Sequence, residues 1–162
     1  MRADFSNGPA SGYAQHLLDA NAEFVGFVEA CSDDDWRRVC SVEGWPVGVV
    51  AHHIAWGHER QIGWIITICD GFDVHGSPEH HEASNAARAL EAARVSRHDV
   101  IELAGRNAER LAQLLRSLTV EDLEMCARFG PAGGLEMSVD RLARNTGHLT
   151  AHLDSMRDAL GR

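Results

Sequence analysis

Histidine is the residue type in this sequence that offers the most chemistry, because ten histidines occur in 162 residues. His148 and His152 are four positions apart in a stretch with helical periodicity, so their side chains lie on one face, one turn apart. This spacing allows two imidazoles to share a metal ion, although two solvated surface histidines have the same spacing. The neighbouring stripe of Leu149, Leu153 and Met156 marks the side that faces a core. We therefore expect the pair at the edge of a protein interior, where ring nitrogens need hydrogen-bond partners or a metal.

His53 is the candidate for a third metal ligand from another helix. It shares a helical face with Val49 and Trp56, whereas the adjacent His52 is rotated by about 100° towards solvent. A core histidine bonded to a backbone or side-chain partner gives the same pattern. Three imidazoles from two helices with an open fourth position are the arrangement that holds catalytic zinc. The sequence thus predicts that His53 joins the pair on the later helix.

Three further residues are candidates for a substrate pocket beside this site. Trp56 and Arg60 follow His53 by three and seven positions, so both lie near its helical face. Arg60 could orient an anionic substrate group, and Asn145, one turn before His148, could support a ligand. Core packing of Trp56 and a solvated end for Arg60 are the alternatives.

The other histidines are interpreted as core or surface residues without a catalytic role. They are His16, His58, His75, His80, His81 and His98. The segment 75–82 also carries two glutamates, so a second metal site there stays open as a minor alternative. The four cysteines, at positions 31, 40, 69 and 126, lack CxxC spacing, which favours small apolar or incidental thiols in a reducing cytoplasm.

Composition and charge exclude several classes of function. The formal net charge is −9 and every fixed cation is arginine, so the chain is unsuited to nucleic acid and is repelled by anionic membranes. The longest apolar run, residues 62–69, is too short to span a bilayer. The first twelve residues have no apolar segment behind Arg2, which predicts no signal peptide and a cytoplasmic location. The sequence contains no GxSxG, HExxH, phosphate-binding or dinucleotide-binding motif, and a small-molecule substrate is expected.

The elements that must position these side chains are helices. Apolar residues at spacings of three and four predict four long helices, at about residues 12–30, 46–69, 82 or 85 to 118, and 138–160. Ser32 and Thr119 each precede acidic residues and predict caps of short helical turns, and Ser138 predicts the cap of the fourth helix. Loops are predicted at 72–81 and 130–134, and strand signals are nearly absent. This pattern predicts an all-α single domain over residues 1–162, built as a four-helix bundle.

Two segments resemble a known family. Residues 44–55, GWPVGVVAHHIA, are similar to the W-x-x-G-x-V-x-x-H-hydrophobic-A segment of the DinB/YfiT-like superfamily, which includes the metal-binding domain of mycothiol-dependent maleylpyruvate isomerase. Residues 145–154, NTGHLTAHLD, resemble its H-x-x-x-H or E-x-x-x-H helix. Position by position, the family's metal ligands fall on His53, His148 and His152. The resemblance implies a bundle with an up-down-down-up path, a divalent metal such as zinc or nickel, and frequent homodimers. Several relatives transfer low-molecular-weight thiols such as mycothiol or bacillithiol.

These observations predict an enzyme that transfers a low-molecular-weight thiol to a small electrophile through a metal-bound thiolate. A free thiol is mostly protonated at neutral pH because its pKa is about 8.5, and a coordinating metal removes that proton. A hydrolase or isomerase that uses metal-bound water is the first alternative. The others are a non-catalytic metal- or ligand-binding bundle and a metal-free bundle whose three histidines are stabilised by hydrogen bonds.

Overall fold

The structure is a computed structural model that describes residues 8–162. Residues 1–7 lie outside the described residues. They belong to the predicted domain 1–162 and to the N-terminal segment from which the absence of a signal peptide is predicted. From residue 8 onwards most of the chain is helical, which confirms the predicted all-α class. None of the helices in this part of the chain combines the length and the hydropathy that a membrane span requires.

Eight α-helices and one two-stranded hairpin follow one another within residues 8–162. The helices are α1 (Ser11–Glu29), α2 (Asp33–Arg37), α3 (Val47–Cys69), α4 (Pro78–Glu91), α5 (Arg97–Ser117), α6 (Val120–Glu124), α7 (Val139–Ala143) and α8 (Gly147–Leu160). The strands are β1 (Cys126–Phe129) and β2 (Leu135–Ser138), which pair in antiparallel orientation.

Helices α1, α3, α5 and α8 form the bundle, in which α1 and α3 each contact α5 and α8. Two clusters of buried side chains fill its two ends. The first cluster includes Leu17 from the start of α1, Ile65 and Leu115 from the ends of α3 and α5, and Leu142 from α7 just before α8. The second includes Phe24 from the end of α1, Val50 and Val100 from the starts of α3 and α5, and Leu153 from α8. Helices α1 and α8 therefore run in one direction and α3 and α5 in the other, which confirms the up-down-down-up path.

Local hydrogen bonds explain where the short helices begin. Ser32 accepts a hydrogen bond from the backbone N–H of Asp35, whose carboxylate accepts one from the backbone N–H of Ser32. This capping box starts α2, and Thr119 and Asp122 form the same arrangement at the start of α6. Both caps confirm the sequence prediction.

The prediction of one uninterrupted third helix is wrong. The chain leaves the helical path at residues 92–96, and Ser96 caps a new helix, α5. The preceding helix, α4, begins inside the predicted loop because Ser77 caps it and Pro78 suits its first turn. His80 and His81 therefore lie on a helix instead of in a loop.

The hairpin is a second difference from the sequence prediction. Residues 130–134, predicted as a plain loop, form the connection between β1 and β2. The strands have four residues each, which is too short for the alternation of Leu135 and Met137 with polar residues to mark a strand in the sequence. The backbone N–H of Val74 donates to the carbonyl of Arg128 at 2.9 Å and attaches the hairpin to the segment after α3. A Cβ at Gly130 would collide with the backbone of Gly76, so this approach requires glycine.

The predicted fourth helix is also divided. Ser138 accepts a hydrogen bond from the backbone N–H of Arg141 and caps only the short helix α7. The chain then turns, and the side-chain oxygen of Asn145 accepts a hydrogen bond from the backbone N–H of Gly147, where α8 begins. The break leaves Asn145 outside the helix that carries the histidine pair.

Candidate metal centre

The bundle brings three imidazoles from two helices to one point. His53 lies in the first half of α3 and is 5% exposed, and His148 and His152 lie one turn apart on α8. The Nε2 atoms of His53 and His148 are 3.0 Å apart, and those of His148 and His152 are 3.2 Å apart. One ligand atom from each ring lies within 4.8 Å of the other two. The fold thus places together the three histidines that the sequence analysis identifies.

Hydrogen bonds among the rings cannot satisfy this cluster. The Nε2 atom of a neutral imidazole carries either a hydrogen or a lone pair, so Nε2 of His148 makes one good hydrogen bond while it faces two neighbours. A tetrahedral zinc site with Zn–N distances of about 2.0–2.1 Å separates its nitrogen ligands by about 3.3 Å. The two separations that involve His148 are close to that value and the third pair lies within 4.8 Å, so these residues fit a divalent metal that accepts imidazole ligands.

Glu43, which the sequence analysis does not include, supports the cluster from the segment between α2 and α3. Its Oε1 accepts a hydrogen bond from Nδ1 of His152 at 2.6 Å, and its Oε2 accepts one from Oγ of Ser155 at 2.6 Å. A carboxylate on Nδ1 fixes the tautomer whose Nε2 lone pair is free for a metal. The sequence feature that could have indicated Glu43 is its position directly before the GWP segment, which carries the family resemblance.

A tight backbone turn holds Glu43 in place. The backbone N–H of Gly44 donates to the carbonyl of Cys40 at 2.8 Å, and Gly44 has a φ of +70°, which favours glycine. Gly48, at the start of α3, lies against the indole of Trp36, where a Cβ would collide with the ring. These contacts fix the chain before α3, and with it the carboxylate that reaches α8.

Burial keeps His53 and His148 neutral. Desolvation, followed by the charges of His148 and His152, lowers the pKa of His53 to about 3. Desolvation and then His152 lower the pKa of His148 to about 3. Burial acts to raise the pKa of Glu43, but the hydrogen bonds from Ser155 and His152 outweigh it, so this pKa is lowered. At neutral pH, lone pairs on nitrogen therefore stand beside a carboxylate anion, which is the protonation state that metal binding needs.

A cavity of about 110 Å³ opens beside the cluster. His148 lines it, as do Arg60 and Asn145, two of the three predicted pocket residues. Trp56, the third, is not among the lining residues, and its ring contacts the guanidinium groups of Arg60 and Arg88 at 4.8 and 4.3 Å. The Oδ1 atom of Asn145 accepts a hydrogen bond at the start of α8, and its amide NH₂ can donate to a ligand.

Other histidines take different positions. His58 and His81 also line the cavity, and Nε2 of His58 donates to Oδ1 of Asn21 at 3.3 Å. His52 lies apart, in a surface pocket between α3 and α5, as its position in the sequence predicts. Within residues 8–162, the His53 cluster is the one group of three or more His, Cys, Asp or Glu side chains close enough to hold a metal. The alternative of a second metal site in segment 75–82 is therefore wrong for the described chain.

Comparisons with known proteins agree with this architecture. A family model described as the DinB superfamily matches residues 16–158. YfiT from Bacillus subtilis, described as a probable metal-dependent hydrolase with an unusual four-helix bundle topology, has a similar structure with a TM-score of 0.74 and 16% sequence identity. The match covers 99% of this chain and 93% of that chain, and at this identity it shows the shared fold. Curated protein sequences give no match. Because the family model spans most of its length, this chain belongs to the DinB superfamily.

Proposed function

We propose that the chain is a metal-dependent enzyme that transfers a low-molecular-weight thiol, of the mycothiol or bacillithiol type, to a small electrophile. His53, His148 and His152 hold the metal, zinc or nickel. The observation that carries the proposal is the convergence of three Nε2 atoms at separations that suit metal ligands. When bound, a divalent cation supplies Lewis acidity that lowers the pKa of a coordinated thiol or water.

The protein's own residues prepare this chemistry. Glu43 and Ser155 hold His152 in one tautomer and orientation, so the ring does not have to reorganise when it becomes a ligand. Three neutral imidazoles add no negative charge, so the positive charge of the metal stays available to a thiol. In the transfer, a sulfur–carbon bond forms and the thiol proton passes to solvent. A chlorinated electrophile loses chloride with its bonding electron pair, whereas an unsaturated one gains a proton on the adjacent carbon.

An open surface pocket next to the cavity supports a reaction with two substrates. It has a volume of about 410 Å³ and shares three wall residues with the smaller cavity, namely Leu142, Asn145 and Thr146. The smaller cavity suits the electrophile next to His148, and the larger one suits the body of a thiol cosubstrate. A hydrolase needs only the first of these spaces.

Hydrolysis by activated water is the second candidate function. The fold likeness to YfiT, which is described as a probable metal-dependent hydrolase, favours it. The two reactions differ in whether turnover requires a thiol.

The test is a screen of the zinc- and nickel-loaded protein against chlorinated and unsaturated electrophiles, with and without mycothiol or bacillithiol. We expect product only when both substrates are present, with loss of product in His148→Ala and full activity in His98→Ala, whose residue lies on α5 outside the cluster. Turnover that does not depend on thiol would contradict transfer and support hydrolysis. A metal-loaded protein inactive with every substrate pair would support the non-catalytic alternative.

Two further expectations stay predictions. The homodimer that the resemblance implies can be tested by light scattering of the purified protein. The cytoplasmic location follows from the sequence argument alone and can be tested by cell fractionation.

A further inference from the structure

The cavity beside the histidines has a basic wall at its other side. Arg60 lies seven residues after His53 on α3, so its Cα is about 10 Å further along the same face of the helix. Arg60 and His148 line the same cavity. None of the described residues that line this cavity is Asp or Glu, although the chain has 24 acidic residues.

Aromatic rings and one amide hold the Arg60 side chain. Its guanidinium carbon lies 4.8 Å from the ring centre of Trp56 and 5.0 Å from that of Trp64, within the range of cation–π interactions. Its Nη1 donates a hydrogen bond to Oδ1 of Asn85 in α4 at 2.6 Å. These contacts limit the rotation of the side chain and orient the guanidinium plane before any ligand arrives.

The positive charge of Arg60 has no counter-ion among residues 8–162. Its Nε atom is buried and has no hydrogen-bond partner in that part of the chain. Burial and then the neighbouring cation Arg88 lower the pKa of Arg60 to about 10, so the group is still charged at neutral pH. A partly buried cation without a counter-ion costs free energy, and an anion bound to it recovers that cost.

We infer that Arg60 binds the carboxylate of a small substrate whose reacting end lies at the histidine cluster. This inference deepens the proposed function and rests on it. A carboxylate suits the site because a guanidinium offers parallel N–H groups that match two carboxylate oxygens. The cavity volume of about 110 Å³ is somewhat below that of an engineered 150 Å³ cavity that binds benzene, which limits the enclosed part of the substrate to a few non-hydrogen atoms.

The experiment measures binding of propionate to the full ¹⁵N-labelled chain, with propionamide as the neutral molecule of equal size. Because a carboxylate can also coordinate a metal, the titration is done on metal-free and on zinc-loaded protein. We expect propionate to shift the Arg60 Nε–H and Trp64 indole N–H signals in both samples. Propionamide should leave them in place. Shifts that are equal for the acid and the amide would overturn the inference.

Substitutions of Arg60 separate the effect of its parallel N–H donors from the effect of its positive charge. Arg60→Gln should weaken propionate binding at least tenfold, and Arg60→Lys should give an intermediate loss because it keeps the charge without the two parallel donors. Arg106→Gln removes the same charge from α5 outside the cavity and should leave the affinity unchanged. Thermal unfolding of each variant confirms that it is folded. Propionate binding that survives in folded Arg60→Gln, or inorganic phosphate binding without propionate binding, overturns the inference.

The zinc content of the same samples distinguishes failure of the proposed metal-dependent function from failure of the proposed carboxylate site. A wild-type protein that binds propionate through Arg60 but takes up no zinc or nickel contradicts the metal-dependent function while the carboxylate site stands. A zinc-loaded protein whose propionate affinity does not depend on Arg60 contradicts the carboxylate site alone.

Discussion

The cavity has two ends that need opposite charges. At the histidine end, His148 lines the cavity and joins it to His53 and His152, and this cluster offers nitrogen lone pairs to a cation. The arginine end, formed by Arg60 with the contacts that hold it, offers N–H donors to an anion. Neither end is satisfied by the residues of the described chain, whereas Nε2 of the nearby buried His58 has a partner in Oδ1 of Asn21.

This difference separates a site from ordinary polar packing. Where a buried or partly buried polar group serves only the fold, its partner is another residue of the chain, as in the hydrogen bond from the indole N–H of Trp36 to the carbonyl of Val95. Where polar atoms converge on a space without partners, a ligand is the missing partner. A metal cation at the histidine end and a carboxylate at the arginine end would attract each other, so binding of one should favour binding of the other.

The largest expected effect comes from the histidine end. His53→Ala, His148→Ala and His152→Ala should each lower the affinity for zinc by at least about a hundredfold, because each removes one of three ligands. Metal titration with a competing chelator measures this loss. His75→Ala and His98→Ala serve as controls and should bind zinc as the wild type does, and full zinc affinity in any two of the three cluster variants would make the assignment wrong.

Substitution of Glu43 and Ser155, which hold His152, should have the next largest effect on zinc binding. Glu43→Ala removes the acceptor of His152 Nδ1–H and should weaken zinc binding by about 10- to 100-fold. Glu43→Gln keeps an acceptor without the charge and should lie between Glu43→Ala and the wild type. Ser155→Ala removes one hydrogen bond to the same carboxylate and should cost less. An equal loss in Ser155→Ala and Glu43→Ala would indicate that the carboxylate acts through packing rather than through the His152 tautomer.

The sequence predicts the histidine end better than the arginine end. Ligand spacing on one helix is a local property, so His148 and His152 can be paired by counting, and the apolar stripe of α3 indicates the direction of His53. Glu43 joins His152 across 109 positions of the chain, and nothing local indicates that contact.

The arginine end depends on α4, whose boundary the sequence places wrongly. Asn85 of α4 receives the hydrogen bond of Arg60, and α4 begins at Pro78 because Ser77 caps it inside a segment that reads as a loop. The breaks before α5 and α8 have the same cause: serine or asparagine side chains bond to the backbone and end a periodic pattern that continues through them. The apolar periodicity of the sequence predicts that these helices exist, whereas the residues at which they begin and end depend on single hydrogen bonds.

The pH dependence of stability tests the environment of His58, the buried histidine that contacts Asn21 beside the cavity. Burial lowers the pKa of His58 to about 4, against about 6.5 in an unfolded chain. As pH falls from about 6.5 to about 4, the unfolded state takes up a proton that the folded state does not. In the metal-free protein, the contribution of His58 to the free energy of unfolding should therefore fall by about 3 kcal/mol over this range and change little below pH 4.

Urea unfolding of metal-free His58→Gln measures the contribution of His58. Its stability should decline less steeply between pH 6.5 and 4 than that of the wild type, while the exposed control His16→Gln should follow the wild type. Parallel pH profiles for wild type and His58→Gln would show that His58 is already protonated in the folded protein.

The smallest effect is expected at Asn145. Asn145→Ala removes the hydrogen bond to the backbone of Gly147 and should lower the free energy of unfolding by about 1 kcal/mol. If its free amide also meets a substrate, the KM of the electrophile should rise while zinc affinity stays the same. An unchanged KM would limit Asn145 to starting α8.

X-ray absorption spectroscopy of protein purified without an affinity tag or chelator and loaded with zinc tests whether the three histidines bind a metal. We expect one zinc per chain, with three imidazole nitrogens at about 2.0–2.1 Å and a fourth, exchangeable light-atom ligand. Absence of tightly bound zinc or nickel, or a zinc spectrum that is unchanged when His53, His148 and His152 are all replaced by alanine, would contradict this expectation.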